Sequence, residues 1–184
     1  MWQNSNMKEI IAFAGSNSKN SINKQLVELA VSKLKKTKYK ILDLNDFQLP
    51  FFGVDYEKEY GYPENVLKFD KLISATDGII LSLAEHNGSY TAVFKNLFDW
   101  LSRVDSKTWK GKPMLLLSTS TGSRGGRSVM EAAKSRFPFH GSNIIATFSL
   151  PNFDDNFGKG RIDDNELNSE FLKAISRFEE ALNK

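Results

Sequence analysis

Three short segments of the chain are rich in glycine, serine and asparagine, residue types that bind polar ligands through hydroxyls, amides and accessible backbone N–H groups. They are residues 15–23, residues 85–89 and residues 118–126, called here the first, second and third segments. Each follows a short apolar run that is typical of a buried strand. Because the carboxyl ends of parallel strands lie at the same edge of a sheet, we expect the three segments to form one crevice.

The first segment, GSNSKNSIN, has the composition of a phosphate-binding loop. It ends where a helix is predicted to begin near Ile22, and the free N–H groups at a helix N-terminus attract anions. Further donors come from the side chains of Ser16, Ser18, Ser21 and Asn23, and Ile22 completes the set of candidate binding residues in this segment. The segment is neither a G-x-G-x-x-G nor a Walker A sequence, so a dinucleotide or a triphosphate is not its natural ligand. The alternative is structural, with Ser21 or Asn20 acting only as a helix cap.

The second segment opens the stretch 83–103, between an apolar strand and a helix, and consists of Glu85, His86, Asn87, Gly88 and Ser89. The Asn87 amide can donate and accept, which suits the edge of a ring that alternates carbonyl and N–H groups. Gly88 permits close approach of the backbone to a ligand, and His86 or Tyr90 could stack on a ring face. The alternative is a turn that caps the following helix.

The third segment places three glycines and several hydroxyls after another apolar strand. Its candidate ligand-binding residues are Ser118, Thr119, Ser120, Gly122, Gly125 and Gly126. Glycines leave backbone N–H groups accessible to a ligand. Arg124 and Arg127 suit the phosphates of a nicotinamide cofactor or are solvated surface charges, and the alternative for the whole segment is a flexible turn.

Apolar strands and amphipathic helices alternate along the chain and predict five strand–helix units. This alternation indicates the α/β class, with a doubly wound five-stranded parallel sheet in a three-layer α/β/α arrangement. The second strand carries Lys38, Lys40 and Asp43 and suits a sheet edge, which fits the flavodoxin-like strand order 2-1-3-4-5. We expect residues 1–184 to form a single domain, with an irregular surface connection over residues 47–62.

Composition excludes several classes of function. The chain has no cysteine and only two histidines, which excludes disulfides and cysteine nucleophiles, and we expect no metal site. The net charge is +3, and solvated lysines at one helix end explain the basic excess, so nucleic acid is not an expected partner. The N-terminal sequence MWQNSNMKE is polar, and no apolar run is long enough to span a membrane. We therefore expect a cytoplasmic protein.

Together the three segments suit flavin mononucleotide (FMN), with its phosphate at the first segment and its ring against the other two. Their motifs resemble those of the NAD(P)H-dependent FMN reductase family of flavodoxin-like proteins, over roughly residues 8–150. The residues that carry the resemblance are Gly15, Ser16, Ser21, Asn23, His86, Asn87, Gly88, Ser89, Phe94, Lys95, Asn96, Asp99, Trp100, Gly122, Gly125 and Gly126. Ser18 stands where the family often has arginine, and Ala84, Thr91 and Thr121 stand where it often has proline.

The resemblance implies an oxidoreductase that holds FMN and uses NADPH or NADH. A hydride would pass to FMN and then to a small acceptor such as a quinone, a free flavin, an azo compound or a metal ion. Transfer between stacked rings depends on positioning, so we nominate no catalytic side chain. Two alternatives stay open, a flavodoxin-type electron carrier and a non-catalytic FMN-binding module, although such carriers tend to be acidic and this chain is basic.

The resemblance also implies a homodimer or a homotetramer. The helix with Phe94, Phe98 and Trp100 has more aromatic surface than one face of a sheet needs, which favours an interface on that helix. Beyond a second copy and the small acceptor, we expect no partner of the nucleic-acid or membrane kind.

Overall fold

The computed structural model describes residues 7–184, so the sequence prediction for residues 1–6 lies outside the described residues. The strands are β1 (Lys8–Ala14), β2 (Thr37–Leu42), β3 (Gly78–Leu83), β4 (Glu85–His86), β5 (Ser89–Tyr90), β6 (Pro113–Thr119), β7 (Asn143–Leu150), β8 (Phe157–Gly158) and β9 (Arg161–Ile162). The α-helices are α1 (Ile22–Ser32), α2 (Val54–Tyr60), α3 (Glu64–Ala75), α4 (Ala92–Val104), α5 (Arg127–Arg136), α6 (Phe153–Asn156) and α7 (Asn165–Leu182). Short 3₁₀ turns occupy Leu44–Asp46 and Phe137–His140.

Five of these strands form one parallel sheet in the order β2-β1-β3-β6-β7. Counted along the chain, this is the predicted flavodoxin-like order 2-1-3-4-5, so the predicted fold class is confirmed. The inner strand β3 is buried along its whole length, whereas three consecutive residues of β2 are exposed. This contrast follows from the apolar sequence of β3 and the lysines of β2, which is an edge strand.

The helices cover both faces of the sheet and create two apolar cores. On one face α1 and α7 pack side chains such as Leu26 and Phe171 against the strands. On the other face α3, α4 and α5 contribute Phe69, Phe94 and Val129 to the second core. Among residues 7–184, no helix is both long enough and apolar enough to span a membrane.

Three parts of the chain differ from the sequence prediction. Helix α2 lies inside the stretch predicted to be irregular, and it has no buried residue, so no apolar periodicity marks it. The second segment forms a β-hairpin, β4–β5, instead of a capping turn. A second hairpin, β8–β9, follows α6 beyond the end of β7. Both hairpins turn through two residues with positive φ, Asn87–Gly88 and Lys159–Gly160, as tight hairpins require.

The aromatic surface of α4 does not lie open to a partner. Phe94, Phe98 and Trp100 are buried within the chain itself. Phe98 stacks on Trp109, and Trp100 meets the edge of Phe52. The sequence argument for an interface on these side chains is therefore corrected, because the connection 105–112 and the stretch before α2 already cover them.

Candidate functional site

The first segment is bonded at the carboxyl edge of the sheet to residues on either side of the second segment. The Gly15 N–H donates to Ser82 O at 2.8 Å, which joins the end of β1 to β3. Thr91 Oγ1 donates to Gly15 O at 2.7 Å and accepts from the Phe94 N–H, so Thr91 caps α4 and binds the first segment at once. A Cβ at Gly15 would lie 3.3 Å from the Phe94 ring, so glycine permits this approach.

Asn23 joins three elements beneath the site. Its Oδ1 accepts from Ser82 Oγ at 2.7 Å and from the Thr119 N–H at 3.1 Å, and its Nδ2 donates to Thr119 O at 3.2 Å. The residue is 2% exposed. The side chain that the sequence indicated as a ligand donor is thus committed to the protein, where it holds the N-terminus of α1 against the ends of β3 and β6.

The third segment is fixed to the end of β7 by its own buried hydroxyls. Ser118 Oγ donates to Gly125 O at 2.8 Å, and Thr119 Oγ1 donates to Leu150 O at 2.8 Å. Gly125 has φ +57°, and a Cβ there would lie 2.9 Å from the Leu150 carbonyl. Gly126 caps α5 in the left-handed region at φ +77°. The turn is therefore closely packed. Gly125 and Gly126 are required there because of their positive φ and because a side chain would collide with neighbouring atoms.

Glu85 connects the second segment to the third. Its Oε2 accepts from the Val129 N–H in the first turn of α5 at 2.9 Å. The Gly126 cap offers α5 no side-chain acceptor, so Glu85 supplies one from across the site. We call the set of internally bonded residues Asn23, Glu85, Thr91, Ser118 and Thr119 the base of the site.

Above the base, the first segment leaves neutral donors accessible. Ser21 caps α1 by accepting from the Lys24 N–H at 3.2 Å, as the structural alternative foresaw. Helix geometry gives the N–H groups of Ile22 and Asn23 no partner within α1. Ser16 is half-buried and its Oγ accepts from the Ser18 N–H at 3.2 Å, while Ser18 itself is exposed. Hydroxyls and N–H groups thus surround one helix terminus.

The other two segments complete an exposed rim. His86, Asn87, Gly88 and Ser89 are exposed on the β4–β5 hairpin, with φ of +51° at Asn87 and +75° at Gly88. In the third segment Gly122 is exposed and Ser120 is half-buried, with Ser120 Oγ donating to Gly122 O at 3.3 Å. We call these exposed or half-buried residues of the three segments, with Ser16, Ser18 and the N-terminus of α1, the rim of the site.

Tyr90 closes the hairpin and lies under the rim. Its ring stacks on Phe137 at 6.1 Å, and its hydroxyl is buried with no hydrogen-bond partner among the described residues. Burial raises the pKa of the Tyr90 hydroxyl to about 12, although Arg136 opposes the shift. The hydroxyl therefore stays protonated at neutral pH and supplies no base.

A cation lies next to the first segment but is already paired. Lys24 Nζ contacts Asp43 Oδ2 at 2.8 Å, and this hydrogen bond lowers the pKa of Asp43 and raises that of Lys24. Asp43 Oδ1 also accepts from Asn45 Nδ2, which in turn donates to Asn17 O at 3.2 Å. Lys24 is therefore committed to Asp43, whereas Lys19 within the first segment is exposed, as are Arg124 and Arg127 in and beside the third segment.

A cleft of about 380 Å³ adjoins the first segment, and sequence reasoning missed it. We call it the lateral cleft; its lining includes Asn17, Leu44, Phe47, Leu49, Phe51 and Val93. It lies between the first segment, the stretch after β2 and the start of α4. The only sequence signal was the cluster of aromatic residues in the stretch 47–62, which was interpreted as surface connection.

The fold and the loops at its carboxyl edge define a flavodoxin-like protein. In structure it is similar to the flavoenzyme NAD(P)H:(acceptor) oxidoreductase FerB from Paracoccus denitrificans, with a TM-score of 0.77 and 23% identity. That match covers 96% of this chain and 97% of FerB. Residues 8–155 match the family model described as NADPH-dependent FMN reductase. The chain therefore belongs to the NADPH-dependent FMN reductase family, and it is an oxidoreductase.

Relatives in sequence include two bacterial quinone reductases. The one from Pseudomonas putida is 32% identical over 140 residues, which are 73% of this chain and 72% of that protein. The one from Escherichia coli is 29% identical over 119 residues, 64% of this chain and 63% of that protein. The chain thus matches less than two thirds of the length of the Escherichia coli relative.

Proposed function

We propose that the protein transfers a hydride from NADPH or NADH to bound FMN, and then to a small electron acceptor. Family membership supports the cofactor and the class of reaction. The observation that carries the proposal is the layered site, in which a rigid base supports a rim of neutral donors around the N-terminus of α1. The quinone reductases among the relatives make a quinone the first acceptor to test.

The rim has the donors that FMN requires. Ser16, Ser18 and the N–H groups at Ile22 and Asn23 would bind the phosphate, since neutral donors at a helix N-terminus stabilise a dianion. The Asn87 amide would bind the edge of the ring, with its side chain exposed on a hairpin of fixed shape. Further contacts are proposed for the exposed or half-buried residues His86, Gly88, Ser89, Ser120 and Gly122. The other residues that the sequence indicated are buried or hydrogen-bonded within the protein and would support the cofactor from beneath: Ser21, Glu85, Ser118, Thr119, Gly125 and Gly126.

Bound FMN supplies the redox chemistry by accepting and releasing a hydride. The residues of the chain itself position the segments that would bind the cofactor. Asn23 and Thr91 hold the first segment against the strands, and Glu85 fixes the hairpin relative to α5. Hydride transfer between stacked rings needs no proton transfer by a side chain.

Anaerobic mixing of the FMN-loaded protein with NADPH, and in parallel with NADH, tests the proposal. We expect the flavin absorbance to bleach within seconds and to return when a quinone is added. A protein that binds FMN but is not reduced by either nucleotide would be an electron carrier or a binding module. Failure to bind FMN at high protein concentration would overturn the proposal as a whole.

We further propose that the protein assembles as a homodimer or homotetramer through the outer surface of α2. Val54, Tyr60 and Tyr62 are 57%, 64% and 44% exposed on and beside this helix. Large exposed aromatic surfaces mark interfaces more often than solvated faces. Sedimentation of a Tyr60→Ser variant at micromolar concentration tests this, because a dimer held by this surface should dissociate. The single domain and the cytoplasmic location expected from the sequence stay predictions.

A further inference from the structure

Phe139 is an exposed aromatic side chain on a fixed turn. It lies in the 3₁₀ turn Phe137–His140, which precedes β7. The Trp109 N–H donates to His140 O at 3.0 Å and ties this turn to the connection 105–112. Phe139 is nevertheless 71% exposed. A large apolar side chain that a fixed backbone holds outside the core is available for contact with a partner.

Two cations flank the Phe139 side chain. Lys107 Nζ donates to Phe139 O at 3.3 Å, and the Arg136 guanidinium lies 5.8 Å from the centre of the Phe139 ring. Lys107 and Arg136 are both exposed, and neither forms an ion pair within residues 7–184. Burial lowers the pKa of His140, and the charges of Arg136 and Lys107 lower it further. The exposed ring therefore lies in a region of positive potential.

The turn belongs to a basic end of the molecule. Because the five strands of the sheet are parallel, residues 33–36, 105–112 and 136–142, which precede β2, β6 and β7, lie at one edge of the sheet. We call them the amino end. In the part of the chain that the structure describes, its cations without an ion pair are Lys33, Lys35, Lys36, Lys107, Lys112 and Arg136. The whole chain has a net charge of +3, so the remainder of the chain is net negative.

The carboxylates near the amino end do little to offset these cations. Asp77 and Asp105 each pair with another lysine, at 3.1 Å and 2.7 Å. Glu179 Oε1 accepts from two backbone N–H groups in residues 33–36. Glu9 is exposed at the start of β1 and is outnumbered by the free cations. The amino end therefore attracts a partner with many negative charges.

An anionic lipid surface fits the amino end better than other polyanions or a second copy. Lysines attract a diffuse layer of lipid phosphates, and an aromatic side chain on a protruding turn can enter the boundary between headgroups and acyl chains. Single-stranded nucleic acid binds instead along a groove in which successive aromatic side chains stack on the bases, whereas Phe139 is alone on its turn. A second copy docked on the same surface would bring like charges together.

We propose that the amino end docks on an anionic phospholipid membrane, with Phe139 inserted at the level of the headgroups. Such a contact is peripheral and requires no membrane-spanning helix. It departs from the sequence-based expectation of no membrane partner, which attributed the basic excess to a helix end. In the structure the last turn of α1 has no basic residue. The rim, at the opposite edge of the sheet, would face away from the lipid and stay accessible from solution.

Cosedimentation of the whole protein with lipid vesicles tests the proposal. Vesicles of phosphatidylcholine with about one third phosphatidylglycerol should bind the protein about tenfold more strongly than pure phosphatidylcholine vesicles. Added salt should weaken this binding, because it screens the lysines. Phe139→Ala should lower the partition coefficient about fivefold, and the double variant Lys107→Gln and Arg136→Gln should lower it about tenfold.

The control variants change matched residues away from the amino end. Phe51→Ala removes a phenylalanine that is 83% exposed in the stretch after β2, and the double variant Arg124→Gln and Lys159→Gln removes two exposed cations of the carboxyl edge. Neither control should change the partition coefficient. Phe139→Trp gives a second measurement, because insertion would bring the new indole close to brominated acyl chains, which should quench its fluorescence beyond the quenching in the parent protein.

Four results would overturn the proposal. Equal binding to the two kinds of vesicle, or binding to neither, would exclude an anionic lipid surface. Equal partition of Phe139→Ala and Phe51→Ala would show that Phe139 does not enter the lipid. Salt-sensitive binding of a fluorescein-labelled single-stranded oligonucleotide, without vesicle binding, would assign the amino end to nucleic acid. A changed sedimentation coefficient of Phe139→Ala without vesicles, together with unchanged vesicle binding, would assign Phe139 to contact with a second copy.

Discussion

The base and the rim of the site contain the same residue types but have different roles. Asn23 in the base makes three hydrogen bonds within the protein, whereas Asn87 in the rim is exposed on a hairpin turn. The base residues connect strands that are distant in sequence, and the rim residues are left accessible above them. Substitutions should therefore separate the two regions, with loss of folding stability in the base and loss of cofactor affinity in the rim.

The largest effect is expected for Asn23→Ala. The change leaves Ser82 Oγ and both backbone groups of Thr119 without their partner in a buried place, at a cost of about 3 kcal/mol of unfolding free energy. Urea denaturation measures this loss. Asn20→Ala, at an exposed position in the same segment, is the control and should change the free energy by less than about 0.5 kcal/mol. Similar losses of unfolding free energy in the two variants would contradict the stabilising role described for the base.

The second-largest effect is expected for Gly125→Ala, which should lower the free energy of unfolding by about 2 kcal/mol. The residue has φ +57°, and the new Cβ would lie 2.9 Å from the backbone of Leu150, so strain and collision add. Gly122→Ala is the matched control, because the only atom near its Cβ would be Ser120 Oγ at 3.9 Å. Thermal unfolding of the two variants compares them directly, and an unaltered Tm for Gly125→Ala would contradict the packing described for the third segment.

In the rim, Asn87→Gly should weaken FMN binding about tenfold, or about 1.4 kcal/mol, by removing the amide that serves the ring. Glycine keeps the positive φ of +51° that the turn requires, so folding stability should change little. Fluorescence titration of FMN measures the affinity, and urea denaturation of the apoprotein checks the fold. A fall in stability with constant FMN affinity would place Asn87 with the base.

Tyr90→Phe should stabilise the protein by about 1 kcal/mol at pH 7, because it removes a buried hydroxyl that has no partner among the described residues. The folded-state pKa of about 12 lies above the ordinary value of 10. As the pH rises, the unfolded chain therefore loses this proton before the folded protein does. The free energy of unfolding of the parent protein is fully present below pH 10 and declines as the pH rises toward 12. Urea denaturation at pH 7 and pH 11 should show a larger advantage of the phenylalanine variant at the higher pH.

The apolar runs and helical spacings were sufficient to predict the sheet order, because burial on both faces of an inner strand restricts its sequence. They could not identify α2, whose residues are all at least partly exposed, or the hairpin at Asn87–Gly88, although Asn-Gly is a strong signal for such a turn. The three segments follow the ends of β1, β3 and β6, as the sequence predicted. The sequence could not predict which of their polar residues form hydrogen bonds within the protein, because the partners of Asn23 and Glu85 lie far along the chain.

The bonds of the base also bear on the order of events in folding. Asn23 reaches Thr119 across 96 positions of sequence, Thr91 reaches Gly15 across 76, and Glu85 reaches Val129 across 44. Contacts of such long range form only after the intervening chain has been ordered, because closing large loops costs entropy. The rim would consequently acquire its shape late, once β1, β3 and β6 are aligned. Capture of FMN during refolding should then lag behind the recovery of helical circular dichroism and report the completion of the native topology.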